Sequence, residues 1–236
     1  MRTLIVTGTG TDVGKTVVVA AVAALARDAG ERVTVVKPAQ TGVAPGEDGD
    51  LADVLRLAGE VGTLELARFP EPLAPATAAR RAGAMPVTAA QVVDAVRQVD
   101  ADLVIVEGAG GLLVRLNDGD DTHPPQTLAD VAAGLGAPVL LVASAGLGVL
   151  NTAALTAEAL TRRGLTLAGT VVGAYPEHPD LAERTNLDDL PAVTGAPLLG
   201  VLPAGLGGAT PERVLDAARC GLGPVVGGRW SPDRTP

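Results

Sequence analysis

Aromatic side chains are nearly absent from this 236-residue chain: Phe69, Tyr175 and Trp230 are the only ones. Hydrophobic residues nevertheless make up 47% of it, so the interior has to be assembled from Val, Leu, Ile and Ala. Small and β-branched side chains of that kind suit a parallel sheet buried under alanine-rich helices. One cysteine, Cys220, excludes an intrachain disulfide and any paired-cysteine metal site, and suggests a reducing compartment, here the cytoplasm. Positive charge is also scarce, with 18 Lys and Arg against 27 Asp and Glu and a formal net charge of −9. An acidic chain repels phosphate backbones and anionic lipid, so neither nucleic acid nor a membrane is an expected partner. Long apolar runs are missing; the one at 138–143 is far too short to span a bilayer. A strand-like run starts at Thr3 with no separate charged and apolar regions before it, so no signal peptide is expected. The two histidines, His123 and His178, stand in proline-containing loops without a metal-spaced partner or a hydrolase motif around them.

What is present alternates. Six short apolar runs, at 3–7, 33–37, 103–107, 138–143, 168–173 and 197–202, read as buried strands. Helical patterning fills 17–29, 51–58, 89–99, 128–135, 150–163 and 212–218. Strands alternating with helices predict an α/β fold, a doubly wound and mostly parallel sheet flanked by helices. The length suits one such domain, placed at 1–220. The Gly-, Pro- and Arg-rich tail at 221–236 is expected to pack poorly. Stretches rich in Gly and Pro at 43–50, 69–75, 117–126 and 203–211 read as connecting loops. In such sheets ligands bind beyond the carboxyl ends of the strands, so the loops after the strands are where chemistry is expected.

The loop after the first strand reads Thr7-Gly8-Thr9-Gly10-Thr11-Asp12-Val13-Gly14-Lys15-Thr16 and opens a helix at about Val17, the context of a phosphate-binding loop of the P-loop NTPase type. Its glycines let backbone N–H groups curl toward phosphate oxygens, and the helix adds its positive dipole end. Lys15 is expected to reach the β- and γ-phosphates, and the Thr16 hydroxyl to bind Mg2+. The strict motif has glycine at position 9, where this chain has Thr9.

Three further charged residues stand at telling places. Glu107 ends the run Leu103-Val104-Ile105-Val106 and precedes Gly108-Ala109-Gly110-Gly111. A carboxylate at the tip of a buried strand needs a partner, and a divalent cation is one candidate. Asp50 precedes a helix and reads equally as an N-cap or as a second metal ligand. Lys37 ends the second strand, either stabilising charge on a transferring phosphoryl group or reaching for water. Thr41, four residues on, can hydrogen-bond substrate or phosphate.

Taken together, Thr9-x-Thr11-x-Val13-Gly14-Lys15-Thr16, Lys37-Pro38-x-Gln40-Thr41-Gly42, Val106-Glu107-Gly108-Ala109-Gly110-Gly111 and Gly148-x-Leu150-Asn151 resemble the dethiobiotin synthetase family in order and spacing, over about residues 1–203. The resemblance implies a cyclo-ligase that joins 7,8-diaminopelargonic acid and CO2 at the expense of ATP or another nucleoside triphosphate, in biotin synthesis. By position it implies nucleotide contacts from Thr11, Asp12, Val13, Gly14, Lys15, Thr16 and Val17, and around the base from Gly173, Pro203, Ala204 and Gly205. It assigns Mg2+ to Thr16, Asp50 and Glu107, and catalysis to Lys15, Lys37 and Thr41. Substrate would meet Lys37, Thr41, Ala109 and Gly110, with Leu147, Gly148, Leu150 and Asn151 contributed by the second subunit of a homodimer. A nonpolar wall from Pro72, Leu73 and Ala74 is implied for the methylene chain. Gly173 stands where the family commonly has an asparagine that reads the base, so relaxed base selectivity is expected. Ala145 replaces an aspartate frequent in the family. Two alternatives share the phosphate loop: a partition-type nucleotide switch, which often carries an additional lysine where this loop has Thr11-Asp12, and an amidoligase fed by glutamine, for which the length leaves no room.

Overall fold

The computed structural model describes residues 1–231. Along the chain it contains β1 (Arg2–Gly8), α1 (Lys15–Asp28), β2 (Val33–Lys37), β3 (Gln40–Thr41), α2 (Asp50–Ala58), β4 (Gly62–Glu65), β5 (Arg68–Phe69), α3 (Pro75–Ala82), α4 (Ala89–Arg97), β6 (Leu103–Gly111), β7 (Arg115–Asn117), β8 (Gln126–Thr127), α5 (Leu128–Leu135), β9 (Val139–Ala143), α6 (Val149–Arg162), β10 (Leu167–Tyr175), α7 (Leu181–Thr194), β11 (Leu198–Pro203) and α8 (Pro211–Gly221). Seven strands form one sheet in the order β11-β10-β9-β1-β6-β2-β4, with every neighbouring pair parallel. The chain leaves β1 toward β2 and β4, fills the gap with β6, then crosses to β9, β10 and β11 on the other side. Strand order therefore reverses at β1, and a crevice for ligand is expected above that point.

Alternation along the strands sorts the core into two layers. Val33, Val35, Leu103 and Ile105 pack with buried residues of α1, α2 and α8. Val36, Val104 and Val106 point the other way, into the cluster under α4 and α5, while Val172, Leu198 and Val201 pack with α6 and α7. Helix α1 is sequestered along most of its length, from Val18 to Ala26, because alanine and valine leave no bulk to hold it off the sheet.

All six predicted strands and six predicted helices are present, with ends shifted by a few residues. Seven elements escaped the sequence reading: the two- and three-residue strands β3, β5, β7 and β8, and three longer ones. Strand β4, Gly62-Thr63-Leu64-Glu65, is a half-exposed edge with no apolar run to mark it. Helix α3 begins inside a stretch read as loop, with Pro75 at its first turn, where the missing N–H costs nothing. Helix α7 carries Pro191 in its interior and buries only Asn186, Leu187 and Leu190.

The tail expectation needs correction up to residue 231. Leu222 is fully buried and bridges to Gly200. The Gly223 N–H donates to Leu199 O at 2.7 Å, the Arg229 N–H to Arg219 O at 2.9 Å and the Trp230 N–H to Leu222 O at 2.9 Å. Trp230 packs against Leu190, Leu198 and Val201. A flexible-looking composition is overridden by a bulky indole and by backbone bonding to β11. Residues 232–236 lie outside the described part. Trp230→Ala is expected to destabilise the protein by about 3 kcal/mol, the usual cost of emptying a buried aromatic site; urea unfolding followed by far-UV circular dichroism measures it. A loss below about 0.5 kcal/mol, the scale of a surface substitution, would put the indole outside the core.

Candidate active site

The loop between β1 and α1 is shaped by close packing on both sides. At Gly8 a Cβ would lie 2.8 Å from Val13 Cγ2 and 2.9 Å from Gly10 O, so the tight position of this loop is residue 8. Position 9 tolerates a side chain: the Thr9 N–H donates to Val142 O at 2.9 Å, and its hydroxyl accepts the Ser144 N–H at 3.4 Å, tying the loop to β9. Gly14 has φ 89° and rests directly on β10, where a Cβ on it would meet Gly173 O at 2.8 Å. A side chain at Gly173 would in turn run into Val13 O and stand 2.8 Å from Val142 Cγ1. Gly173 thus seats the phosphate loop, and an asparagine does not fit beneath this loop as it is built. Lys15 folds over the loop, its Nζ donating to Gly10 O at 2.7 Å.

Strand register and parity assemble the charged centre. Val36 pairs with Val106, and Val6 with Glu107, so Lys37, the last residue of β2, lies side by side with Glu107 in β6. Both share parity with the residues that face α1 and α2, and both side chains emerge under those helices. Lys37 Nζ donates to Glu107 Oε1 at 3.0 Å and to Gly108 O at 3.4 Å, and it pairs with Asp50, the first residue of α2. The Thr16 hydroxyl donates to the same Glu107 Oε1 at 2.9 Å. Lys37 is 3% exposed and Glu107 0%. Glu107 Oε2 is buried without a hydrogen-bond partner in the described residues, which is costly for a carboxylate.

The electrostatics follow from one ammonium held between two carboxylates. Burial pushes the Glu107 carboxyl above its usual range; the Lys37 charge opposes this, and Asp50 adds to it. For Lys37, burial alone acts downward, but Glu107 and Asp50 outweigh it and the ammonium is held more tightly than usual. Asp50 is likewise pulled up by burial and further down by the charge and hydrogen bond of Lys37, and ends below the ordinary carboxylate range. Lys15 is lowered, first by burial, with Lys37 adding and Glu107 opposing. The centre therefore carries cationic groups for an anion and a carboxylate pair that one lysine only partly neutralises.

A cavity of about 740 Å3 opens above it, lined among others by Thr11, Asp12, Gly14, Lys15, Thr16, Val17, Lys37, Thr41, Asp50, Glu107, Ala109 and Gly110. Pro72, Leu73 and Ala74 form one wall. Val13 lies beneath the loop rather than in the lining. Pro203, Ala204 and Gly205 are exposed at the end of β11, where the Ala204 N–H donates to Tyr175 O at 2.8 Å; neither they nor Gly173 line this cavity. Leu147, Gly148, Leu150 and Asn151 are also apart from it, at the start of α6, with Leu147 92% exposed. Sequence reasoning missed two anchoring side chains. Asn186 donates to Ala145 O at 2.7 Å and to Gly146 O at 3.1 Å, fixing the turn before α6 from a helix that had no sequence signal. The Arg68 guanidinium donates to Glu47 O at 2.6 Å and holds the loop ahead of Asp50. Among the described residues no helix is long and apolar enough to cross a membrane.

Known proteins place this arrangement in a family. A family profile described as an AAA domain matches residues 2–206. The chain is 66% identical to the ATP-dependent dethiobiotin synthetase BioD of Saccharopolyspora erythraea, over 98% of this chain and 100% of the relative. It is 60% identical to the protein of that name from Streptomyces avermitilis, over 99% and 97%, and 60% identical to the one from Rhodococcus jostii, over 88% of each. In structure it is similar to a chain of the Aquifex aeolicus MinC:MinD cell division protein complex (TM-score 0.58, 14% identity, 100% of both chains). A ParA family ATPase from Chlorobium tepidum is also similar (TM-score 0.56, 14% identity, 92% and 97%). At such identities the structural likeness carries fold alone, a P-loop α/β sheet, whereas the full-length sequence identity is decisive: the chain belongs to the ATP-dependent dethiobiotin synthetase family.

Proposed function

We propose that this protein is a dethiobiotin synthetase, a cyclo-ligase that closes a cyclic urea on 7,8-diaminopelargonic acid with CO2 at the expense of a nucleoside triphosphate. The observation that carries the reading is the convergence of Lys15, Thr16, Lys37, Asp50 and Glu107 on one cavity at the carboxyl ends of β1, β2 and β6. One amine adds to CO2 to give a carbamate. A carbamate oxygen takes the terminal phosphoryl group, and the second amine then attacks the carbonyl carbon and expels phosphate. Lys15 and the N–H groups of the loop bind the phosphates, while Lys37 and Thr41 hold the carbamate and its phosphorylated form. The backbone at Ala109 and Gly110 lets substrate approach closely, and Pro72, Leu73 and Ala74 cover the methylene chain.

The donor set fits Mg2+. Two carboxylates and a hydroxyl are oxygen donors of the kind Mg2+ prefers, and Glu107 Oε2 is a buried acceptor without a hydrogen-bond partner among the described residues. Thr16, Asp50 and Glu107 would hold the ion, which supplies charge neutralisation at the triphosphate. The exposed start of α6 favours a homodimer in which Leu147, Gly148, Leu150 and Asn151 serve the neighbouring subunit's cavity, with N–H groups there receiving the substrate carboxylate. Lone Cys220 and the lack of a spanning helix among the described residues accord with a cytoplasmic enzyme.

Incubating the protein with diaminopelargonate, bicarbonate, Mg2+ and ATP, CTP or GTP is expected to give the cyclic urea, read by mass spectrometry. With Gly173 unable to offer a side chain to the base, a lost contact of about 1–3 kcal/mol makes the three triphosphates differ by roughly a hundredfold or less; a preference for ATP above about a thousandfold contradicts this. Lys37→Ala is expected to cut kcat by about a hundredfold or more, as loss of a charge-stabilising group does, with nucleotide affinity nearly intact. Unchanged turnover removes Lys37 from the chemistry. Glu107→Gln separates stability from function. The raised Glu107 carboxyl disfavours folding once pH exceeds its unfolded value, so the ligand-free variant is expected to melt at or above wild type at pH 7.5. The gap narrows as pH falls toward 4.5, and turnover is lost. A Glu107→Gln variant that melts several degrees lower would contradict the electrostatics.

A further inference from the structure

We infer that Gln40 is a positioning residue that aims Asp50 into the site, an inference that rests on the reading of Asp50 as a Mg2+ ligand. Helix α2 begins at Asp50 without a cap of its own, because its N-cap position is Gly49, which has extended backbone and no side chain to offer. The first N–H groups of a helix have no acceptor inside it. Here the first is met from another element: Gln40 Oε1, on β3, accepts the Asp50 N–H at 2.9 Å. The other end of the amide is fixed as well, with Nε2 donating to Thr41 O at 3.2 Å, and the whole side chain is 4% exposed. Contact is close enough that a Cβ on Gly49 would stand 2.8 Å from Gln40 Oε1, so the helix start is seated directly on this amide.

The consequence is directional. The residue whose N–H is gripped by Gln40 is the residue whose carboxylate pairs with Lys37. Residues 43–49 contain glycine at 46 and 49 and would by themselves leave that carboxylate free to swing. Arg68 secures the loop upstream at Ala44 O and Glu47 O, but among the described residues only Gln40 accepts the Asp50 N–H at the point where the helix starts. Gln40 also lines the cavity, but both ends of its amide are engaged, by Thr41 O and by the Asp50 N–H, so it acts through Asp50.

Two measurements test this. Amide hydrogen exchange on the ligand-free wild type is expected to show the Asp50 N–H protected by about a hundredfold over an open chain, as a buried hydrogen-bonded amide is; free exchange at Asp50 overturns the inference. The second is calorimetric binding of ADP with and without Mg2+ to wild type, Gln40→Met, Asp50→Asn and the double variant. In wild type Mg2+ tightens ADP binding. Gln40→Met is expected to forfeit roughly fivefold of that tightening, the scale of one capping bond, with metal-free ADP affinity within about twofold of wild type. On the Asp50→Asn background the same change is expected to cost nothing more. Full tightening in Gln40→Met, or an equal loss with and without Mg2+, overturns the positioning role. Those outcomes leave the proposed function standing, whereas a wild type whose ADP binding ignores Mg2+ removes Asp50's metal role, and Gln40's with it.

Discussion

One ammonium group sits between two carboxylates on the floor of the cavity, and the rest of the site is arranged around that imbalance. Lys37 and Glu107 are brought together by strand register, which no side-chain preference has to enforce, because β2 and β6 are parallel neighbours in which Val36 pairs with Val106. Asp50 joins them from the start of α2. Lys37 cannot neutralise both carboxylates, and one Glu107 oxygen has no partner among the described residues. A buried carboxylate with a spare acceptor is costly in a folded protein. Its natural complement is a cation that arrives with its own anion, and a magnesium triphosphate answers that description.

The same cluster explains why the surrounding backbone is so closely fitted. The phosphate loop lies on β10 through Gly14 and Gly173 and is tied to β9 through Thr9. These contacts fix where a phosphate can lie relative to Lys37. Gly173 can seat the loop because it has no side chain: a Cβ there would run into Val13 O and Val142 Cγ1.

Much of this was legible in the sequence because the informative residues sit at strand ends. The runs 33–37 and 103–107 announce both the strands and the charged residues that close them, and parity along each strand then sets which face Lys37 and Glu107 share. Asp50 was ambiguous between cap and ligand, and the structure shows why: the helix has a different cap, Gln40, supplied across space. Such a contact leaves no local pattern. Asn186 was invisible for a similar reason, since α7 carries an interior proline and only three buried residues. The tail misled in the opposite direction, because composition records the Gly and Pro around Trp230 but not the hydrophobic surface on β11 and α7 that receives it. Likeness of fold to cell-division and partition ATPases reflects the shared sheet and phosphate loop; identity to dethiobiotin synthetases over nearly the full chain separates this protein from them.

The most direct test of the charge-complementation account is thermal melting of the wild-type protein with Mg2+ alone, with nucleotide alone and with both. If the metal and the phosphates complete the cluster together, the shift with both present exceeds the sum of the separate shifts. Strictly additive shifts, or no shift with the pair, would mean that Lys37, Asp50 and Glu107 form a self-sufficient structural cluster and that the account of the site is wrong.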